Sequence, residues 1–114
     1  VEIELTKDAE YMLCAIYKSY KDKRKSGIPK SDAKYIGNSE DIHKSLMSEW
    51  LFDDVDETCR ELNRAGFVDC RYYDDTAHYV TLTDKAIIYM ENRFVNGLTG
   101  VLDYMAKIKQ AILF

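Results

Sequence analysis

The segments readable in this sequence predict an α+β, mainly α fold, and three observations carry the prediction. Apolar residues recur at helical spacing at Ala9, Met12, Leu13, Ile16 and Tyr20, and again at Phe52, Val55, Cys59 and Leu62. The period then changes to two. Val68, Cys70 and Tyr72 alternate on one segment and His78, Val80 and Leu82 on the next, which predicts a β-hairpin with its loop at 74–77. A helical pattern resumes at Lys85. Helix, short helices, helix, hairpin and helix is the order of a winged helix-turn-helix, here with an added C-terminal helix.

The elements follow in order. Thr6 is the expected N-cap of the first helix, with Asp8 and Glu10 in the first turn, where the helix dipole favours acids. Gly27 is the expected stop, and Ile28-Pro29 breaks the chain because proline disfavours helix in the residue before it. Ser31 is then expected to cap a short helix running through Tyr35-Ile36 to Gly37, and Ser39 to cap another that carries Ile42, Leu46 and Met47 on one side. A third main helix is expected over roughly 52–65, ended by Gly66 and leading directly into the hairpin. Thr83 or Asp84 caps a helix that runs from Lys85 to about Asn96.

Beyond it, Gly97 interrupts and Thr99 offers a new cap. Phe94, Leu98, Val101, Met105, Ile108 and Ile112 alternate steps of four and three, the spacing of a helix–helix seam. Each large aliphatic buried is worth roughly 1.5–3 kcal/mol, so leaving the stripe wet is costly. The expectation is therefore a winged-helix domain over 1–93 and a helical dimerisation tail over 94–114, the tail pairing two copies in a homodimer. The stripe can also pack back onto its own first helix, and both arrangements can hold at once. Leu113-Phe114 adds further apolar surface to the tail.

Composition excludes several classes. At 114 residues and 46% hydrophobic, the chain suits one domain with one core, and disorder is not expected. No apolar run approaches the ~18 residues of a membrane span, and no basic start precedes an apolar stretch, so no membrane partner is expected and the cytoplasm is the expected compartment. The three cysteines, Cys14, Cys59 and Cys70, have no regular spacing and read as small buried thiols. His43 and His78 lie on different elements, without the spacing of metal ligands. No motif sets a nucleophile beside a base, so neither an enzyme, a cofactor nor a metal is expected.

The charge is unevenly placed. Residues 18–34 carry seven cations against Asp22 and Asp32, whereas residues 53–62 carry Asp53, Asp54, Asp56, Glu57 and Glu61 against Arg60 alone. Lys21, Lys23, Arg24, Lys25, Lys30 and Lys34 bracket the entry to the second helix, a corner that lies near the phosphates in a helix-turn-helix, and they are the candidate DNA-phosphate contacts. A solvated lysine-rich loop is the alternative. Arg60 and Arg64 are the candidate base contacts, since arginine bridges two acceptors on guanine. Against this, the outward face of the third helix also holds Asp53, Glu57 and Glu61, and Glu57–Arg60 and Glu61–Arg64 fit ion pairs at i,i+3. Tyr72, Tyr73 and Tyr79 beside the hairpin are expected to pack across it, although an exposed ring could also stack on a base or a partner.

Phe52-Asp53-Asp54-Val55, Leu62-Asn63-Arg64-Ala65-Gly66-Phe67-Val68, Tyr73-Asp74-Asp75, Leu82-Thr83-Asp84-Lys85-Ala86 and Tyr89-Met90-Glu91-Asn92 together resemble the YjcQ-like winged-helix proteins, small proteins of Gram-positive bacteria and their phages. The resemblance covers about residues 50–93 and implies the fold more than a function. Ala86 stands where the common pattern has glycine, and residues 38–49 form a longer link than usual. Two functions are expected from the whole: a homodimeric winged-helix DNA-binding protein acting as a transcriptional regulator on double-stranded DNA, or a non-enzymatic interaction module whose acidic third helix faces a protein partner.

Overall fold

The computed structural model describes residues 4–112. Nine elements follow one another among them: α1 (Lys7–Lys25), α2 (Lys30–Lys34), β1 (Tyr35–Gly37), α3 (Ser39–Ser45), α4 (Phe52–Arg64), β2 (Val68–Tyr73), β3 (Thr76–Leu82), α5 (Asp84–Arg93) and α6 (Leu98–Lys109). The fold is α+β and mainly helical, with one antiparallel sheet in the order β1-β3-β2.

Local chemistry sets most boundaries. The Thr6 hydroxyl accepts from the Ala9 amide at 3.1 Å and caps α1, and Thr83 does the same for α5 from Ala86 at 3.2 Å. α1 ends before Gly27, whose φ of +87° suits a residue without Cβ. Asn38, rather than Ser39, caps α3: its side chain accepts from the Asp41 amide while Asp41 returns to the Asn38 amide, a closed capping box. Gly97 precedes α6, so the cap expected at Thr99 is not used.

Two expectations about the strands need correction. The short helix stops at Lys34, and Tyr35–Gly37 forms β1, with Tyr35 opposite Thr81 and Gly37 opposite Val80. A helix of only five residues gains little from two more, whereas the open edge of β3 offers backbone partners. The hairpin loop is also tighter than 74–77. Tyr73 faces Thr76, and only Asp74 and Asp75 turn the chain, both with positive φ, as a two-residue turn requires. A bulge at Tyr79 (φ +56°) then shifts the register of β3, so that Ala77, Val80 and Leu82 face the core and His78 does not.

One core joins all the layers. Met12, Leu13 and Ile16 of α1 meet Val55, Cys59 and Leu62 of α4, Phe67 and Val68 below Gly66, Val80 and Leu82 of the sheet, and Met90 of α5. The seam residues belong to the same cluster. Val101, Ile108 and Ile112 are buried in it and Phe94, Leu98 and Met105 pack half-buried against it, with α1 the main neighbour of α6. Within the single chain, the stripe expected to join two copies packs on its own first helix, and residues 94–112 share the core of the domain. Leu113-Phe114 lies outside the described residues. No helix among the described residues is long and apolar enough to cross a membrane.

Candidate functional site

The exposed edge of α4 is the first candidate surface, and one buried acid organises it. Asp56 is only 8% exposed. Its Oδ1 accepts from the Ala77 amide at 2.8 Å, and its Oδ2 accepts from Arg60 Nε at 3.3 Å. Arg60 continues onto the hairpin: a second guanidinium nitrogen donates to the Asp75 carbonyl at 2.8 Å, and its plane covers the Tyr72 ring at 4.1 Å. The expected base-contacting Arg60 is thus a strut between α4 and the hairpin turn. Its ion pair is with Asp56 at i,i+4, not with Glu57 at i,i+3.

Glu61 is likewise tied. Its carboxylate accepts from the Thr6 amide at 2.8 Å and the Thr6 hydroxyl at 2.7 Å, fastening α4 to the start of α1 rather than pairing with Arg64. Arg64 is exposed and makes no ion pair among the described residues; it lines an open cleft with Asp8, Asp54 and Glu57. Burial, followed by the charges of Asp54 and Glu61, raises the Asp8 carboxyl above its ordinary range. The free charges of this edge are therefore mainly carboxylates.

The basic corner is differently arranged. Lys23 Nζ donates to the Tyr35 carbonyl at 2.8 Å and Arg24 to the Ile28 carbonyl at 3.2 Å, which closes the chain after α1. Lys34 and Lys30 both approach Asp84 Oδ1, at 3.1 and 3.5 Å, and pin α2 to the start of α5. Asp84 is held below the ordinary aspartate range by the Lys34 hydrogen bond and by both lysine charges. Lys21 and Lys25 are exposed and unpaired among the described residues.

The two surfaces stand far apart. Thr6, which holds Glu61, is fifteen residues before Lys21 on one continuous helix, a separation of about 22 Å along its axis. The corner and the acidic edge of α4 occupy opposite ends of α1.

A third cluster escaped sequence reasoning. Glu10 accepts from Tyr104 Oη and, at 3.1 Å, from Arg93, which also donates to Tyr89 Oη at 2.9 Å and lies over the Tyr104 ring at 4.5 Å. Burial alone would raise Glu10, but the bonds from Tyr104 and Arg93 and the cationic charges outweigh it and hold its pKa below the ordinary value. The partners lie 83 and 94 residues away in sequence, so no local pattern announces them.

On the outer face of the hairpin, Tyr73 and Tyr79 are 48% and 58% exposed and meet edge to face at 6.3 Å, while Tyr72 packs under Arg60. Cys14 and Cys59 are buried, their thiols pushed up to about 12 by loss of solvent, so they are protonated packing groups. Compared with family models, curated proteins and solved structures, the chain matches none of them.

Proposed function

We propose that the chain is a non-enzymatic winged-helix interaction module, related to the YjcQ-like proteins, that engages a basic protein surface through the acidic edge of α4. The element order α1, β1, α3, α4, β2, β3 and the sheet order β1-β3-β2 support the winged-helix reading. The observation that carries the functional reading is the engagement of Arg60 with the hairpin, at the Asp75 carbonyl and the Tyr72 ring. It leaves Asp53, Asp54 and Glu57 with Arg64 alone on the face that would otherwise enter a DNA groove, and such a face repels phosphates. Calorimetric titration with a lysine-rich peptide at low salt should give binding that weakens in Asp53→Asn/Glu57→Gln and is unchanged in Lys21→Ala/Lys25→Ala. Equal affinity of all three proteins would sink this reading.

A second reading keeps the regulator on double-stranded DNA. The exposure of Lys21 and Lys25 favours it, since unpaired cations can neutralise phosphates. A duplex bound with sequence preference, and released by Arg64→Ala, would establish it in place of the first.

A further inference from the structure

The apolar stripe of the C-terminal helix does not begin where that helix begins. Ile87 and Met90, buried in α5, precede Phe94, Leu98, Val101, Met105, Ile108 and Ile112 in steps of three and four. At 100° per residue all eight fall on one face of an uninterrupted helix. The fold nevertheless breaks that helix. α5 ends at Arg93, Gly97 takes φ +68° and ψ −144°, and α6 turns back onto α1. Residues 94–97 are the whole connection, and the space around Gly97 is open, with no atom within 4 Å of a Cβ built there. Asn96-Gly97 are weak helix formers, and no proline stands at the break.

We propose that the chain has a second state in which residues 84–112 form one straight helix and α6 docks on α1 of a second copy, the two copies exchanging their C-terminal helices. The contacts of α6 with α1 and with Glu49 are then remade between chains: Val101 and Ile108 in the core, Tyr104 on Glu10, and Lys109 on Glu49, which lie 3.8 Å apart in the closed chain. The two states share their packing and differ only in the connection, which is the condition for exchange between identical subunits. The occupant of the exposed α1 groove is a second copy, because its α6 carries the stripe, the tyrosine and the lysine that meet α1 and Glu49 in the closed chain.

The test changes the connection alone. Asn96→Ala/Gly97→Ala strains the bent path, where φ is positive, and favours helix. Light scattering should show the wild type at monomer mass and the variant at twice that mass. Carbodiimide coupling of Glu49 to Lys109, on an equal mixture of unlabelled and nitrogen-15-labelled chains refolded together, should give linked peptides of one isotope for the wild type and mixed isotopes for the variant. A monomeric variant overturns the proposal, and so does a dimer whose linked peptides carry one isotope, since α6 would then still sit on its own α1. Should the variant not fold, the wild type refolded from urea at high concentration decides: a dimer fraction with mixed links supports exchange, and its absence refutes it.

Discussion

The two ends of α1 treat charge in different ways. At the N-terminal end, Asp56, Glu61 and Glu10 reach across to other elements and act as mortar: one holds the hairpin, one holds the start of α1, and one holds α6. The acids left over, Asp53, Asp54 and Glu57, form an exposed edge. At the C-terminal end four of six cations are held, but by exposed carbonyls and a single exposed carboxylate. Surface pairs of that kind are weak and screened by salt. The lesson is that the charge available to a partner is what remains after the fold has used its share. For acids that share is tied across elements, with Asp56 buried; for cations it is loose and recoverable.

The largest expected effect tests the acid end. Asp56→Ala leaves the Ala77 amide without its acceptor and releases Arg60 from one side, which should cost about 2–3 kcal/mol. Asp53→Ala and Glu57→Ala, on the exposed edge of the same helix, should stay within about 0.5 kcal/mol of the parent. Urea unfolding of the three variants measures the contrast. Three equal midpoints would mean that the buried acid is no more structural than its neighbours.

That contrast was only partly legible in the sequence. Periodicity located α1, α4, α5 and both strands of the hairpin, because each buries a stripe whose spacing reports its own geometry. It missed β1, whose three residues owe their shape to the edge of β3 rather than to any pattern of their own. The bulge at Tyr79 moved His78 off the inner face for a similar reason, since alternation assumes an unbroken register. The surface was harder to read. Arg60 could be assigned to the outward face of α4, but whether it points to solvent or curls to Asp75 depends on where the hairpin lies. The i,i+4 spacing of Asp56 and Arg60 was the available signal, and the i,i+3 pairs with Glu57 and Glu61 obscured it. The seam illustrates the same limit: its spacing marks a stripe that must be covered, but periodicity does not say whose helix covers it.

A smaller effect separates two half-buried carboxylates of α1 by pH. Glu10 ionises in the folded chain at a pKa below its ordinary value near 4.5, so its contribution is complete above that value and is lost as pH falls through the lower, folded one. Glu10→Gln should therefore lower stability by about 1 kcal/mol at neutral pH, with the gap to the parent closing in that acidic window. Asp8, two residues earlier, has the opposite sign: its carboxyl is raised, so its ionised form opposes folding and acid relieves it. Asp8→Asn should thus be slightly more stable than the parent at pH 7. A pH-independent gap for Glu10→Gln would show that the carboxylate form does not hold α6.

The smallest effect on stability falls at the base end, where it has the clearest effect on binding. Asp84 accepts from Lys34 and faces Lys30 on an exposed surface, and its pairs lie at 3.1 and 3.5 Å. Asp84→Asn should leave the urea midpoint where it is, because exposed pairs contribute little and Thr83 still caps α5. The same change frees two lysines beside Lys21 and Lys25. Affinity for heparin, a polyanion without sequence, should rise, and the dependence of log affinity on log salt should steepen by roughly one to two as the added cations release counterions. Unchanged heparin affinity would mean that Lys30 and Lys34 already reach polyanions while paired, and the base end would then carry its full charge in the folded chain. An increase would show that one carboxylate on α5 sets how basic this corner is, a control that the free carboxylates Asp53, Asp54 and Glu57 at the acid end do not have.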